Sequence, residues 1–251
     1  MKYDKILLTG GSGTLGKHIL KSGLFRNILA PSSQKMDITK AAAVDKFFEE
    51  NDFDTVIHCA AMARVGECEK QPEKAIETNI IGTGNLVAAA IKKERKAKRK
   101  MRFVHISTDG VYQSTKGNYS EEDATVPYNL YGWTKLGAEC AVQALQNCCI
   151  IRTRFFDPEN IKYDEYATDS YTSAMPADEL VKAIAFLVEN GFTGTVNVGG
   201  ERISDYELFK KYKQSIKPCK LEDIQGKTPF KLSKDASMNV SLWKKIQGQQ
   251  E

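Results

Sequence analysis

The sequence lacks any long hydrophobic run, since no stretch approaches the roughly 20 apolar residues that a membrane-spanning helix requires. Its first residues lead through only Ile6, Leu7 and Leu8 into glycines, so we expect neither a signal peptide nor a membrane anchor. The six cysteines form no Cys-x-x-Cys pair, and the three histidines show no metal-ligand spacing. These absences predict a cytoplasmic protein with reduced thiols and no metal site.

Only one segment of the sequence carries a large excess of charge of one sign. The net charge is +4 at pH 7, yet residues 92–102 alone hold eight basic residues and one acidic residue, so the remainder is net negative. Cations are favoured at the C-terminal end of a helix, and we interpret this cluster as the basic end of a helix. The alternative is a surface patch that binds nucleic acid or a membrane. No aromatic residue stands among these charges to stack on bases. We therefore expect neither a nucleic acid nor a membrane as partner.

Short apolar strands and helical segments alternate along the 251 residues. The predicted strands are Lys5 to Thr9, Arg26 to Ala30, Thr55 to Ala61, Arg102 to Ser107, Cys149 to Arg152 and Gly194 to Gly200. The predicted helices are Leu15 to Lys21, Ala41 to Asn51, Pro72 to Lys98, Tyr131 to Gln146 and Asp178 to Glu189. Such alternation predicts an α/β fold with a doubly wound parallel sheet, whose ligands bind at the carboxyl ends of the strands.

Three glycines, Gly10, Gly13 and Gly16, lie between the first predicted strand and the first predicted helix. In that position Gly10 permits a tight turn, Gly13 the close approach of a ligand, and Gly16 the close packing of helix on strand. A simple turn is the alternative interpretation of the glycines alone. Their context favours binding of a pyrophosphate by the loop, together with Ser12, Thr14 and Leu15.

Tyr131 and Lys135 are four residues apart on a predicted helix and therefore share one face. A lysine ammonium beside a phenol favours the phenolate and makes the tyrosine usable as an acid or base near neutral pH. Thr108, at the end of a predicted strand, faces the same cleft and can hydrogen-bond a substrate carbonyl. An exposed amphipathic pair is the alternative for Tyr131 and Lys135.

These residues together resemble an extended short-chain dehydrogenase/reductase, and most closely the dTDP-4-dehydrorhamnose reductase family. The resemblance rests on the glycine loop, on Ser-Thr-Asp-Gly-Val-Tyr at 107–112 and on Tyr-Gly-Trp-Thr-Lys at 131–135, and it is dense over about residues 4 to 155. It implies a Rossmann-like NAD(P)-binding domain over residues 1–155 and a small C-terminal substrate-binding lobe over residues 156–251. A helix and strand at about 178–198 would return to the sheet.

The resemblance also implies an activity: hydride transfer from a reduced nicotinamide to the C4 ketone of a nucleotide-linked 4-keto-6-deoxysugar. Tyr131 would donate the proton, Lys135 would also hold the nicotinamide ribose, and Thr108 would orient the ketone. The further cofactor-binding residues would be Asp37, Ile38, Cys59, Ala60, Ala61 and Asn79. The substrate-binding residues would be Met62, Thr108, Asp109 and Lys234.

Cofactor preference depends on the loop after the second predicted strand. An acid at that point would bind the ribose hydroxyls of NAD, but the first acid there is Asp37. Ser32, Ser33 and Lys35 could instead hold a 2′-phosphate. We therefore favour NADP(H), with NAD(H) as the alternative.

The second half departs from the family pattern. A Gly-Ala-Pro-Thr-like stretch is replaced by residues 168–174, and the segment between Phe156 and Tyr171 is short. Two alternatives therefore stay open: a nucleotide-sugar epimerase or dehydratase of the same superfamily, and a non-catalytic NADP-binding subunit resembling the regulatory subunit of methionine adenosyltransferase. Many relatives are dimers, so a homodimer is an expected assembly.

Overall fold

A computed structural model describes residues 5–248 of the protein. Its centre is a parallel sheet of six strands: β1 (Ile6–Thr9), β2 (Ile28–Leu29), β3 (Thr55–His58), β4 (Arg102–Ile106), β5 (Cys148–Thr153) and β10 (Gly194–Val198). They lie side by side in the order β10-β5-β4-β3-β1-β2. The chain thus leaves β1 for β2 on one side and continues to β3 on the other, which places a crevice at the carboxyl ends of β1 and β3.

Helices cover both faces of this sheet, as alternation of the strand side chains requires. The long helices are α1 (Thr14–Lys21), α2 (Ala41–Glu50), α5 (Gly82–Ala97), α6 (Leu130–Val142) and α7 (Ala177–Asn190). On β1, Ile6 and Leu8 pack in one core with residues of α1 and α7. Leu7 packs in the other core with residues of α2, α5 and α6. The predicted doubly wound α/β fold is confirmed.

The remaining elements are short. The strands are β6 (Phe155–Phe156), β7 (Glu165–Ala167), β8 (Tyr171–Thr172), β9 (Met175–Pro176), β11 (Ile203–Ser204) and β12 (Lys217–Cys219). The helices are α3 (Val65–Lys70), α4 (Pro72–Ile76), α8 (Asp205–Lys210), α9 (Leu221–Gln225) and α10 (Ser241–Ile246). Strands pair as β6–β9, β7–β12 and β8–β11, and β10 joins the central sheet beside β5.

Several boundaries differ from the sequence prediction. The predicted strand Arg26 to Ala30 is ordered as a strand only over Ile28–Leu29. The predicted helix Pro72 to Lys98 is interrupted by a π-helical turn, Glu77–Ile81, where the Thr83 hydroxyl donates to the backbone carbonyl of Asn79 (2.6 Å). Such turns often occur at functional sites.

The basic cluster lies where the charge pattern predicts. Arg95 and Lys96 occupy the last turn of α5, and Lys98 ends that helix in the left-handed conformation. Among residues 5–248, no helix is both long enough and apolar enough to cross a membrane.

Candidate active site

The loop between β1 and α1 is a tight backbone turn at the crevice. Gly10 has a φ of +73°, and a Cβ there would lie 2.6 Å from the Ala60 nitrogen. At Gly16, a Cβ would lie 2.6 Å from the Gly11 Cα, so helix and loop are in close contact. Gly13 caps α1 without a side-chain hydrogen bond, which leaves backbone N–H groups and the positive helix end for an anion. Three further predicted residues lie in this loop or in the first turn of α1: Ser12, Thr14 and Leu15.

The loop after β3 is held in place by Asn79. The Asn79 side-chain oxygen accepts from the Met62 N–H (2.8 Å), and its amide nitrogen donates to the Met62 carbonyl (3.1 Å) and to the Thr134 hydroxyl (2.8 Å). Asn79 therefore fixes the wall of the crevice against α6. Its predicted contact with a cofactor, and that of Met62 with substrate, stay predictions. The other predicted residues of this wall follow β3 directly: Cys59, Ala60 and Ala61.

The loop after β2 forms the opposite wall. Ser32, Ser33 and Lys35 are exposed there, and Ile38 is buried. Asp37 accepts hydrogen bonds from the N–H (3.0 Å) and hydroxyl (2.8 Å) of Thr39, which lower the pKa of its carboxyl group. The serines and lysine are thus free to meet a ligand, while the Asp37 carboxylate stabilises its own turn.

Thr108 and Asp109 follow β4 in a short 3₁₀ turn, Asp109–Val111. The Thr108 hydroxyl accepts from the Gly110 N–H (3.1 Å) and donates to Asp109 Oδ1 (3.0 Å). Burial raises the pKa of Asp109, since the charged carboxylate is desolvated there. The turn therefore fixes both side chains at the carboxyl edge of the sheet.

The start of α6 lies directly against this turn. Asn129 caps the helix by accepting from the Gly132 N–H (2.8 Å). At Gly132 there is no room for a side chain, because a Cβ would lie closer than 3.0 Å to the Gly110 carbonyl oxygen. This close approach brings Tyr131 beside Thr108, whose hydroxyl donates to Asp109 and can therefore act towards Tyr131 as an acceptor.

Tyr131 nevertheless remains a neutral phenol. Desolvation of the hydroxyl raises the pKa of Tyr131 well above the usual 10.0, and the charge of Asp109 acts in the same direction. A phenol that keeps its proton at neutral pH is equipped to donate it, once an oxygen with developing negative charge lies within reach.

Lys135 lies deeper than the sequence predicts. Its ammonium donates to the Ile106 carbonyl (2.8 Å) and contacts His105 Nε2 (3.1 Å). Within residues 5–248 it makes no hydrogen bond to Tyr131, so the expected stabilisation of the phenolate by direct contact is not what the structure shows. The physical reason is burial: Lys135 bonds to the end of β4, and desolvation lowers its pKa to about 8.

A buried charge network, which the sequence analysis missed, supports this arrangement. Glu139 pairs with Arg152 (2.8 Å) and accepts a hydrogen bond from Ser107. Arg152 also donates to the Tyr112 hydroxyl (2.9 Å), which donates to Asn197 (2.9 Å). One signal was available, because Glu139 follows Lys135 by four residues and so shares its helix face. The negative charge of Glu139 also raises the pKa of Lys135.

The late loop contains the predicted substrate-binding residue Lys234. Lys234 is exposed, and its backbone N–H donates to the Ser114 carbonyl (3.2 Å). In the part of the chain that the structure describes, its ammonium makes no hydrogen bond or ion pair. A contact between Lys234 and a phosphate stays a prediction.

Comparison with known proteins supplies independent evidence. Residues 4–159 match the family model described as RmlD substrate binding domain. The chain is similar to a dTDP-4-dehydrorhamnose reductase of Mycolicibacterium smegmatis (35% identical over 155 residues; 60% of this chain, 45% of that protein). It is also similar to methionine adenosyltransferase 2 subunit beta of Rattus norvegicus (33% identical over 149 residues; 55% and 42%). The matches thus cover about half the length of such relatives, or less.

A solved structure agrees over nearly the whole chain. A dTDP-4-dehydrorhamnose reductase from Clostridium acetobutylicum superposes with a TM-score of 0.86 at 29% identity, covering 98% of this chain and 93% of that one. The likeness therefore extends through the short elements after residue 159, beyond the family match.

Proposed function

Because the chain belongs to the RmlD substrate binding domain family, we propose that it is an NADPH-dependent reductase of a nucleotide-linked 4-keto-6-deoxysugar. One observation carries the proposal: a half-buried Tyr131 with a desolvated, neutral hydroxyl beside Thr108, at the mouth of a crevice formed by a glycine loop. The dTDP-4-dehydrorhamnose reductases among its relatives support the substrate class.

The crevice fits a dinucleotide. A Cβ at Gly10 or Gly16 would meet backbone atoms at 2.6 Å, so only glycine leaves the loop open for a pyrophosphate at the start of α1. Ser32, Ser33 and Lys35 would hold a 2′-phosphate, which is our reason for favouring NADPH over NADH. When bound, the reduced nicotinamide supplies the hydride.

Residues of the chain itself would supply the proton for the reduction. Tyr131 would donate its hydroxyl proton to the ketone oxygen as negative charge develops there, and Thr108 would orient that oxygen by a hydrogen bond. With a pKa of about 8, Lys135 is mostly protonated at neutral pH. Its ammonium, held at the end of β4, would hold the nicotinamide ribose.

In this scheme residues 1–155 bind the cofactor and residues 156–251 complete the substrate pocket with Lys234 at its rim. A homodimer and a cytoplasmic location stay predictions.

A non-catalytic NADP-binding subunit is the second candidate, and it is favoured by the similarity to methionine adenosyltransferase 2 subunit beta. The presence of Thr108, Tyr131 and Lys135 supports the enzyme instead, since a scaffold has no need of a tyrosine proton donor beside Thr108.

The test follows NADPH absorbance when the purified chain is mixed with 4-keto-6-deoxy forms of dTDP-, UDP- and GDP-sugars, and is repeated with NADH. We expect oxidation with one sugar nucleotide, and a loss of at least about 100-fold in Tyr131→Phe with unchanged NADPH binding. Tyr163→Phe, at an exposed tyrosine, is the matched control. Tight NADPH binding without turnover of any sugar would favour the regulatory subunit.

A further inference from the structure

His105 belongs to a row of buried polar side chains that crosses the central sheet. Thr9 of β1 is in register with His58 of β3, and His58 is in register with His105 of β4. Residues in register present their side chains to the same face, and all three are buried. The two imidazole rings lie 5.1 Å apart between centroids. The row ends at Lys135, whose ammonium contacts His105 Nε2 (3.1 Å).

His58 has a partner at both ring nitrogens. The Thr83 hydroxyl donates to the Asn79 carbonyl (2.6 Å), so it accepts from His58 Nε2 (2.9 Å). The other nitrogen, His58 Nδ1, then carries no proton and accepts from the Thr9 hydroxyl (2.7 Å). Burial lowers the pKa of His58 to about 3, so the ring is neutral. Its hydrogen bonds therefore fix His58 in one tautomer and join β3 to β1 and α5.

His105 is bonded on one side only. Within residues 5–248 its Nδ1 is buried without a hydrogen-bond partner, and Nε2 contacts Lys135 alone. An ammonium group offers only donors, so Nε2 must accept and the ring proton must lie on Nδ1. A buried donor without an acceptor is costly, so sheet packing does not account for this residue. A role for the lone pair on Nε2 does account for it.

The contact at Nε2 determines the direction of the Lys135 ammonium. Of its three N–H groups, one donates to the Ile106 carbonyl (2.8 Å) and another to His105 Nε2. The third makes no hydrogen bond in the part of the chain that the structure describes. The nitrogen is tetrahedral, so fixing two N–H directions fixes the third. The Ile106 acceptor is backbone, which leaves His105 as the side chain that sets this direction.

The other titratable groups around Lys135 do not replace this contact. They are His58 on β3, Cys59 after β3 and Glu139 on the same helix. Each interacts with Lys135 through its charge or its burial, but among residues 5–248 His105 is the side chain within hydrogen-bond distance of the ammonium. Burial and the charge of Lys135 hold the pKa of His105 well below its usual value, so His105 stays a neutral acceptor.

We propose that His105 is a positioning residue for the reduction: its Nε2 accepts one N–H of Lys135 and thereby directs the remaining N–H towards the ribose of the cofactor. This rests on the proposed function and adds to it the residue that orients its lysine. His105 acts through Lys135 and has no contact of its own with substrate or cofactor.

The first measurement compares pH profiles of kcat/KM for ketosugar reduction. His105→Leu removes the acceptor, whereas His105→Gln restores one, because its amide oxygen can occupy the position of Nε2. The lost hydrogen bond had stabilised the charged lysine, so the pKa of Lys135 falls. We expect the alkaline limb, near pH 8 in the wild type, to move about one to two pH units lower in His105→Leu and to return towards pH 8 in His105→Gln. Phe103→Leu, at a buried residue on the same face of β4, is the matched control and keeps the wild-type limb.

The second measurement needs no substrate. NMR of the full chain, labelled with ¹⁵N in histidine and ¹³C in lysine, reports the protonation of each ring nitrogen and the titration of Lys135. We expect the proton of His105 on Nδ1 and that of His58 on Nε2, which are opposite tautomers on neighbouring strands. Lys135 should titrate near pH 8, and about one to two pH units lower in His105→Leu. Lys135→Met and the single histidine variants assign the signals.

Either measurement can overturn the assignment. A proton on His105 Nε2 refutes it, and so does an unshifted Lys135 in a folded His105→Leu. A shift that His105→Gln does not correct, or that Phe103→Leu reproduces, refutes it as well. If His105→Leu fails to fold, His105→Asn takes its place, because the shorter amide mimics Nδ1 and does not reach Lys135.

The two measurements also separate this proposal from the proposed function. Ketosugar reduction with an unshifted alkaline limb in His105→Leu removes the role of His105 and leaves the reductase. The expected tautomers and Lys135 shift, without reduction of any sugar nucleotide, keep His105 as the residue that orients Lys135 and remove the reductase.

Discussion

Replacing Gly132 with alanine tests whether the contact between α6 and the 3₁₀ turn positions the chemistry. An added Cβ would lie closer than 3.0 Å to the Gly110 carbonyl oxygen and 2.9 Å from Pro127 Cβ. To reach ordinary contact distance the start of α6 must move by roughly 1 Å, and a displacement of that size can lower turnover by about 100-fold. The same overpacking costs about 1–3 kcal/mol of stability.

The assay pairs kcat for ketosugar reduction with urea unfolding and NADPH binding. We expect Gly132→Ala to lose turnover while its NADPH affinity is retained, because the glycine loop lies on another part of the crevice. Gly84→Ala is the matched control: a Cβ there meets nothing within 4 Å, and inside α5 alanine should raise stability by up to about 1 kcal/mol. A folded Gly132→Ala with wild-type kcat would refute the positioning argument.

Three further predictions follow. Lys135 has a pKa of about 8, so if its charged form is required, kcat/KM should fall as pH rises through about 8; a flat alkaline limb in the pH–rate profile would contradict this. Gly16→Ala should weaken NADPH binding at least about tenfold with an unchanged circular dichroism spectrum, because its Cβ would lie 2.6 Å from the Gly11 Cα. An unchanged NADPH affinity in fluorescence titration would contradict cofactor binding by the glycine loop. Glu139→Ala should lower the free energy of unfolding in urea by about 3–5 kcal/mol, because Arg152 is left buried and unpaired. Adding Arg152→Met should recover part of that loss. An additive loss in the double variant would exclude an energetic coupling between Glu139 and Arg152.

The fold was largely predictable, because strands and helices of a doubly wound sheet are marked by local apolar patterns. The π-helical turn at Glu77–Ile81 was not, since the apolar spacing of a helix does not mark a local change in its backbone hydrogen bonding. The strand at Arg26 to Ala30 was predicted too long, because β2 pairs with β1 at only two residue pairs, which the local sequence does not reveal.

The candidate site also contains some features that the sequence predicts and others that it does not. The glycine loop and the Tyr131–Lys135 spacing are properties of sequence neighbours and could be recognised. The position of Lys135 could not, because it depends on His105 and the Ile106 carbonyl, about thirty residues earlier in the chain.

The end of β4 and one face of α6 form a single unit. Tyr131, Lys135 and Glu139 recur every four residues on the helix, and each meets β4 or the residues directly after it: Tyr131 meets Thr108, Lys135 the last residues of the strand, and Glu139 Ser107. The proposed proton donor, the cation and the buried ion pair are therefore held by the same packing that holds the helix on the sheet. Such preorganisation lets the site exist before any ligand arrives. It follows that a substitution at Glu139 changes stability and the pKa of Lys135 together, so a loss of turnover there can be assigned to chemistry only when unfolding and the pH profile are measured on the same variant.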